Sequence, residues 1–287
     1  MKKFDRKSSF IVVFLVYVSA IAIGILTYSC LSDLAFYWAL FIADVVATAW
    51  VFAFSTVFSN ASVYDPYWSV KPIVVVIAFA LEKSLGVFQI LTVIVVSLWG
   101  IRLTANWAYT FGGLSHEDWR YVSIRCNTGT LFPLVSFLGI HLVPTIVTYA
   151  VTLPAVFVLV VPDMYAGIWS YLCLALSAFA FCMQGLADVQ MHKYRKHRDG
   201  AFNRHGLWKY SRHPNYLGEI LMWWGVGLSA CIYLNTAWYL IIGAVLNTLL
   251  FLFISIPLAD NRQSRKEGFE EYKHATRILL PVPRLKK

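Results

Sequence analysis

The sequence predicts an all-α fold: a polytopic bundle of membrane-spanning helices, seven or eight in number. Three observations predict it. Hydrophobic residues make up 59% of the 287 and charged residues only 14%, whereas a soluble domain is usually about 45–50% apolar and about 25% charged. Mean hydropathy is +0.63. Apolar runs recur along the whole chain, at 10–31, 35–58, 72–81, 85–109, 131–161, 164–191, 214–234 and 236–258, and most reach the length of about 20 residues that a helical span needs.

The first run, Phe10 to Leu31, is too long for the apolar core of a signal peptide and reads as a retained helix. The run 72–81 is short. Counted as a crossing, it gives eight spans and puts both termini on one side, and seven is the alternative. The 131–161 run carries Pro133, Pro144 and Pro154, which membrane helices tolerate where neighbours satisfy the freed backbone groups. With no repeat, low-complexity stretch or soluble linker, residues 1–287 read as a single integral domain.

Net charge is +9, and its placement is informative. Basic residues cluster at Lys2, Lys3, Arg6 and Lys7, at Arg120 and Arg125, from Lys193 to Arg212, and after residue 260. The positive-inside rule assigns all of these to the cytoplasmic face. The five cysteines are scattered without a CxxC pair, so no disulfide framework or zinc site is expected. No P-loop, strand-associated GxGxxG or GxSxG occurs, and His192, His197, His205 and His213 lack a paired metal-ligand spacing. The basic segments are short and adjacent to the membrane, which argues against nucleic acid and for membrane lipids as neighbours.

Polar groups inside spans are costly and mark candidate sites. Gln184, Asp188, His192 and Arg195 share one helix face at i, i+4, i+8 and i+11. Arg102, Asn106 and Tyr109 form a second stripe, and Asn215 and Glu219 lie one turn apart. Between them stands "LWKYSRHPNYLGEI" (207–220). Pro214 suits the first turn of a helix, whose N-terminus favours anions, and Arg212 and His213 immediately precede it. That arrangement suits a polyanion at the cytoplasmic membrane surface. Attraction to anionic lipid headgroups is the plainer reading of the same charges, but it requires neither Asn215, Glu219 nor the Asp188 stripe.

"SRHPNYLGE" (211–219), "FLFISIPLADNR" (251–262) and "GFEEYKHATRILLPVP" (268–283), with "SVYDPYWSV" (62–70), "LWGIRLTANW" (98–107) and "HEDWRY" (116–121), resemble the steroid 5α-reductase-like superfamily. Within it the set looks most like an uncharacterised bacterial branch, and residues 180–283 resemble its C-terminal region. The RHPxY core also occurs in isoprenylcysteine and phospholipid methyltransferases, which use S-adenosylmethionine.

The resemblance implies a multi-pass enzyme of the bacterial inner membrane that uses NADPH on the cytoplasmic face. It would transfer hydride to the C=C bond of a lipophilic enone of steroid or isoprenoid type. By position, Gln184, Asp188, His192, Arg195, Arg212, His213, Asn215, Tyr216 and Glu219 would contact the cofactor. Arg102, Asp118 and Arg120 would meet its phosphates and ribose, and Arg262, Arg265 and Tyr272 would close the site. Arg198 and Arg204 add to its positive lining. Asp65 would hold the substrate carbonyl. The tyrosine expected to assist it is replaced by Trp99, and Tyr64, Tyr67 or Tyr109 would stand in, with Tyr64 paired here with Asp65 as catalytic. Gln184 replaces an asparagine and Asp260 a glutamate of the family pattern. The alternative is a methyltransferase of a lipid or lipidated thiol. Its sulfonium cofactor carries no phosphate and suits an arginine-lined site less well.

Overall fold

The computed structural model describes residues 5–197, 201–235 and 237–280. Lys2, Lys3 and Arg198 lie outside the described residues. Among these residues there is no strand, only an isolated bridge between Ser211 and Arg277. Seven helical stretches are long and apolar enough to cross a membrane. The chain is therefore a multi-pass membrane protein of all-α architecture.

The described residues divide into two compact units. The first has the bounds Met1–Ser84 and Val96–Leu153, the second Leu85–Val95 and Pro154–Lys287. The single domain read from composition thus contains two packing units, with no polar linker to announce them.

In the first unit, α1 (Arg6–Cys30) and α2 (Phe36–Val57) pack along each other. Asp5 caps α1 by accepting from the Ser8 amide. Gly24 faces Ala43 and Ala47 on α2, the small-residue contact that lets membrane helices approach. A turn of 3₁₀ helix, Ala61–Tyr64, leads into α3 (Tyr67–Leu81). The run 72–81 belongs to α3. At 15 residues this helix is shorter than the roughly 20 a span needs. It is not among the seven, so the expected eighth crossing has no helix of sufficient length.

The helix α4 (Val87–Thr110) is followed by a loop and then by a helical stretch of 42 residues, Trp119–Val160. This stretch is not uniform. It comprises α5 (Trp119–Thr128), a 3₁₀ turn at Gly129–Leu131, α6 (Phe132–Val135), a π-helical segment at Ser136–Leu142, and α7 (Val143–Val160). The breaks cluster around Gly129, whose φ is +53°, Pro133 and Pro144. Proline removes an amide donor and clashes with the preceding turn, so the regular ladder cannot run through.

In the second unit, α8 (Ile168–His197) packs against α9 (Pro214–Leu234). Two glycines one heptad apart on α9 make this possible. A Cβ at Gly218 would lie 2.4 Å from Gln184 Cγ, and one at Gly225 would lie 2.1 Å from Ser177 Oγ and 2.7 Å from the Cys173 carbonyl. As the sequence suggests, α9 begins at Pro214. The last crossing is α10 (Ile242–Leu250), a π-helical segment at Phe251–Ser255, and α11 (Ile256–Gln263). A short helix, α12 (Phe269–Ala275), follows and packs on Phe202 through Phe269 and Tyr272.

Candidate functional site

Two sets of polar residues in the first unit and one in the second are the candidates. The first set is built by lashing two loops together. Asn60 donates to the carbonyls of Leu114 (2.8 Å) and His116 (3.2 Å). Ser62 Oγ accepts from the Asp118 amide, and Glu117 accepts from the Ala61 amide and from Arg125. This brings "SVYDPYWSV" and "HEDWRY" side by side. Asp65 then receives a hydrogen bond from the Tyr121 hydroxyl on its Oδ1. Arg120 Nη2 lies 4.0 Å from the same oxygen while its Nε pairs with Asp118 at 2.8 Å. Asp118 also caps α5. Burial pushes the Asp65 carboxyl up to about 6, against the pull of Arg120 and the Tyr121 hydrogen bond, which favour its ionised form.

Tyr121, which the sequence reading did not single out, is the tyrosine whose hydroxyl meets Asp65. Tyr64, paired with Asp65 from the sequence, turns its hydroxyl to Thr145 Oγ1 at 2.7 Å instead, and burial pushes that hydroxyl well up. Tyr67 bonds Thr48, and Tyr109 is exposed. Arg102 is half-buried on α4.

The second set of the first unit was not foreseen. Asp44 on α2 and Lys71 on α3 form an ion pair of 2.6 Å, with side chains only 4% and 8% exposed. Asp44 stands as a single charge within the run 35–58 and Lys71 immediately before the run 72–81, which was the available signal.

In the second unit, Gln184, Asn215 and Glu219 converge. The Gln184 amide donates to Glu219 Oε2 and to the Asn215 carbonyl, and the Trp223 indole donates to Glu219 Oε1 at 2.8 Å. Glu219 is buried. Gln184 Oε1 and Asn215 Oδ1 are buried acceptors without a hydrogen-bond partner among the described residues. Asp188 and His192, half-buried, and Arg195, exposed, continue along α8.

Arg212 and His213, read from sequence as phosphate contacts, are buried and both engage Asp260, at 2.8 and 2.9 Å. Arg212 also donates to the carbonyls of Lys273 and Thr276. Tyr216 stacks on His213 at 5.1 Å. Tyr272 gives its hydroxyl to the Trp208 carbonyl, and burial pushes it up to about 12. Arg262 and Arg265 are exposed. Within this unit the sequence-predicted residues therefore fall into a buried acceptor group at Gln184, Asn215 and Glu219, a structural knot at Arg212, His213 and Asp260, and exposed arginines.

Over residues 51–276 the chain matches a family described as "Protein of unknown function (DUF1295)". An uncharacterised protein of Schizosaccharomyces pombe is 30% identical over 151 residues, an alignment that covers 44% of this chain and 44% of the relative. The chain thus spans less than half the length of that relative. No solved structure matches.

Proposed function

The chain belongs to the DUF1295 family, a steroid 5α-reductase-like group, and from that premise we propose that it is an NADPH-dependent membrane reductase acting on the C=C bond of a lipophilic enone. The observation that carries the reading is the Asp65–Tyr121 pair beside Arg120. A half-buried carboxyl poised near neutrality, gripped by a tyrosine hydroxyl, suits a group that must hold and release a proton.

The second unit's residues fit the cofactor. The unpartnered acceptors of Gln184 and Asn215 suit the N–H donors of a carboxamide, since a buried acceptor left unpaired is costly. The exposed guanidinium groups of Arg195, Arg262 and Arg265 suit phosphate oxygens. When bound, NADPH supplies the hydride. Asp65 holds a proton toward the substrate carbonyl oxygen, drawing electron density from the β-carbon and stabilising the enolate that develops. Tyr121 holds the carboxyl in place through Oδ1. Solvent replaces the proton consumed as the α-carbon is protonated.

The test is a titration of the detergent-purified chain with NADPH, NADH and S-adenosylmethionine separately. NADPH should bind tightest. Arg195→Ala should weaken it roughly tenfold or more, as expected for loss of a hydrogen bond to a charged group. Binding of S-adenosylmethionine alone would overturn the reading in favour of a methyltransferase.

A further inference from the structure

The first unit holds a partly open cavity of about 330 Å³ between α1, α2 and α3. Its wall follows α1 from Tyr17 to Ser29, a length of about 18 Å at about 1.5 Å per residue. Most of that wall is aliphatic or aromatic. The ion pair of Asp44 and Lys71 belongs to the lining, and its hydrogen bonds define what the cavity can recognise.

An ammonium has three donors and no acceptor. Lys71 uses all three, on Asp44 Oδ2 at 2.6 Å, Thr148 Oγ1 at 2.9 Å and the Thr145 carbonyl at 3.3 Å. Three of the lining hydroxyls are committed as donors too. Tyr17 gives its proton to the Val63 carbonyl, Tyr149 to the Tyr37 carbonyl and Thr152 to the Thr148 carbonyl. Asp44 Oδ1, by contrast, is buried and accepts no hydrogen bond among the described residues. Beside the ion pair the cavity therefore offers an acceptor with no donor to meet it.

We propose that this cavity binds a neutral lipophilic alcohol, with the hydroxyl donating to Asp44 Oδ1 and the apolar body lying along α1 and α3. A ketone or ester brings only acceptors and leaves Asp44 Oδ1 without a donor. A carboxylate meets the Asp44 charge without a free cation. An ammonium adds a net charge to a pair that is already neutral, which is costly in a low-dielectric site. The volume lies at the lower end of the range of about 300–1,000 Å³ for small-molecule sites, which suits one chain or one fused-ring body and not a two-chain lipid. The proposal does not rest on the reductase reading, because none of the residues of the Asp65 pair lines the cavity.

The experiment uses the full chain in lipid nanodiscs without NADPH, labelled by a photoreactive long-chain alcohol. Labelling should map to α1 or α3. Unlabelled dodecanol should compete at least tenfold better than its methyl ether, which lacks the donor, and dodecanoate should compete no better than the ether, in line with the strength of hydrogen bonds to charged groups. The paired substitution Asp44→Leu with Lys71→Met removes the acceptor without stranding a buried charge and should erase the tenfold preference. Val74→Trp fills the cavity one helical turn from Lys71 and should abolish labelling. Equal competition by alcohol and ether, stronger competition by the carboxylate, or undiminished labelling of Val74→Trp would each overturn the proposal. The ether comparison on the unaltered chain decides the matter even where the paired variant fails to fold.

Discussion

Replacing Tyr121 with phenylalanine isolates one of the two interactions that oppose the effect of burial on Asp65. The hydroxyl donates to Oδ1, so it favours the carboxylate, and removing it must move the Asp65 pKa upward. A hydrogen bond to a charged group contributes about 1.5–3 kcal/mol, and one pH unit corresponds to about 1.36 kcal/mol. The shift should then be about one to two pH units above the starting value of about 6. Arg120 at 4.0 Å still opposes it, and the 17% exposure of the Asp65 side chain lets water replace part of the lost bond, so the lower end is expected. Infrared difference spectra of the protonated carboxyl, assigned by their absence in Asp65→Asn, read the midpoint directly. A midpoint in Tyr121→Phe equal to or below that of the unaltered chain would refute the reasoning. Stability follows the same sign. The folded pKa of about 6 exceeds the ordinary 3.8, so the folded state binds the proton more tightly. The contribution, on the order of 3 kcal/mol, is present below pH 3.8 and lost as pH rises through about 6.

Two further substitutions test the second unit. Asp260→Ala leaves the Arg212 guanidinium buried and unpaired, which should cost about 3–5 kcal/mol and show as a large fall in the thermal melting of the detergent-purified chain. Gly225→Ala forces a Cβ to 2.1 Å from Ser177 Oγ and 2.7 Å from a backbone carbonyl. It should cost about 1–3 kcal/mol, whereas Gly227→Ala, with nothing nearer than 3.9 Å, should melt almost unchanged. Equal melting of the two alanine variants would contradict the close approach of α8 and α9.

The legible parts of the sequence are those governed by local spacing. Helical periodicity and a proline at position 214 place Gln184, Asn215 and Glu219 on facing surfaces of two adjacent helices, and the structure brings these three together. Length alone separates α3 from the spans, because a 15-residue helix and a longer interrupted one share the same apolar signature. Tyr121 was not legible, since its meeting with Asp65 depends on Asn60 and Ser62 tying together loops 56 positions apart, and no periodicity encodes that. Asp44 and Lys71 announce themselves as a charge inside one apolar run and at the edge of another, but their pairing across 27 positions needs the fold. Arg212 and His213 were read as ligands for an anion because a basic residue before a helix start has the same appearance whether its partner is a phosphate or, as here, a carboxylate from α11.

A hydropathy plot would end the folded part of this protein near residue 258, where the last apolar run stops, and the helix that carries it ends at Gln263. The segment beyond it is nevertheless a strap. The amides of Arg212 and His213 donate to the carbonyls of Arg277 and Ile278, the Arg212 side chain donates to those of Lys273 and Thr276, and Tyr272 reaches back to Trp208. Cutting the chain after the last span would therefore leave the Arg212 guanidinium with Asp260 alone, strip it of two carbonyl acceptors and release the start of α9. For placing an affinity tag or a protease site, the usable boundary lies beyond Ile278 and not at the edge of the bilayer.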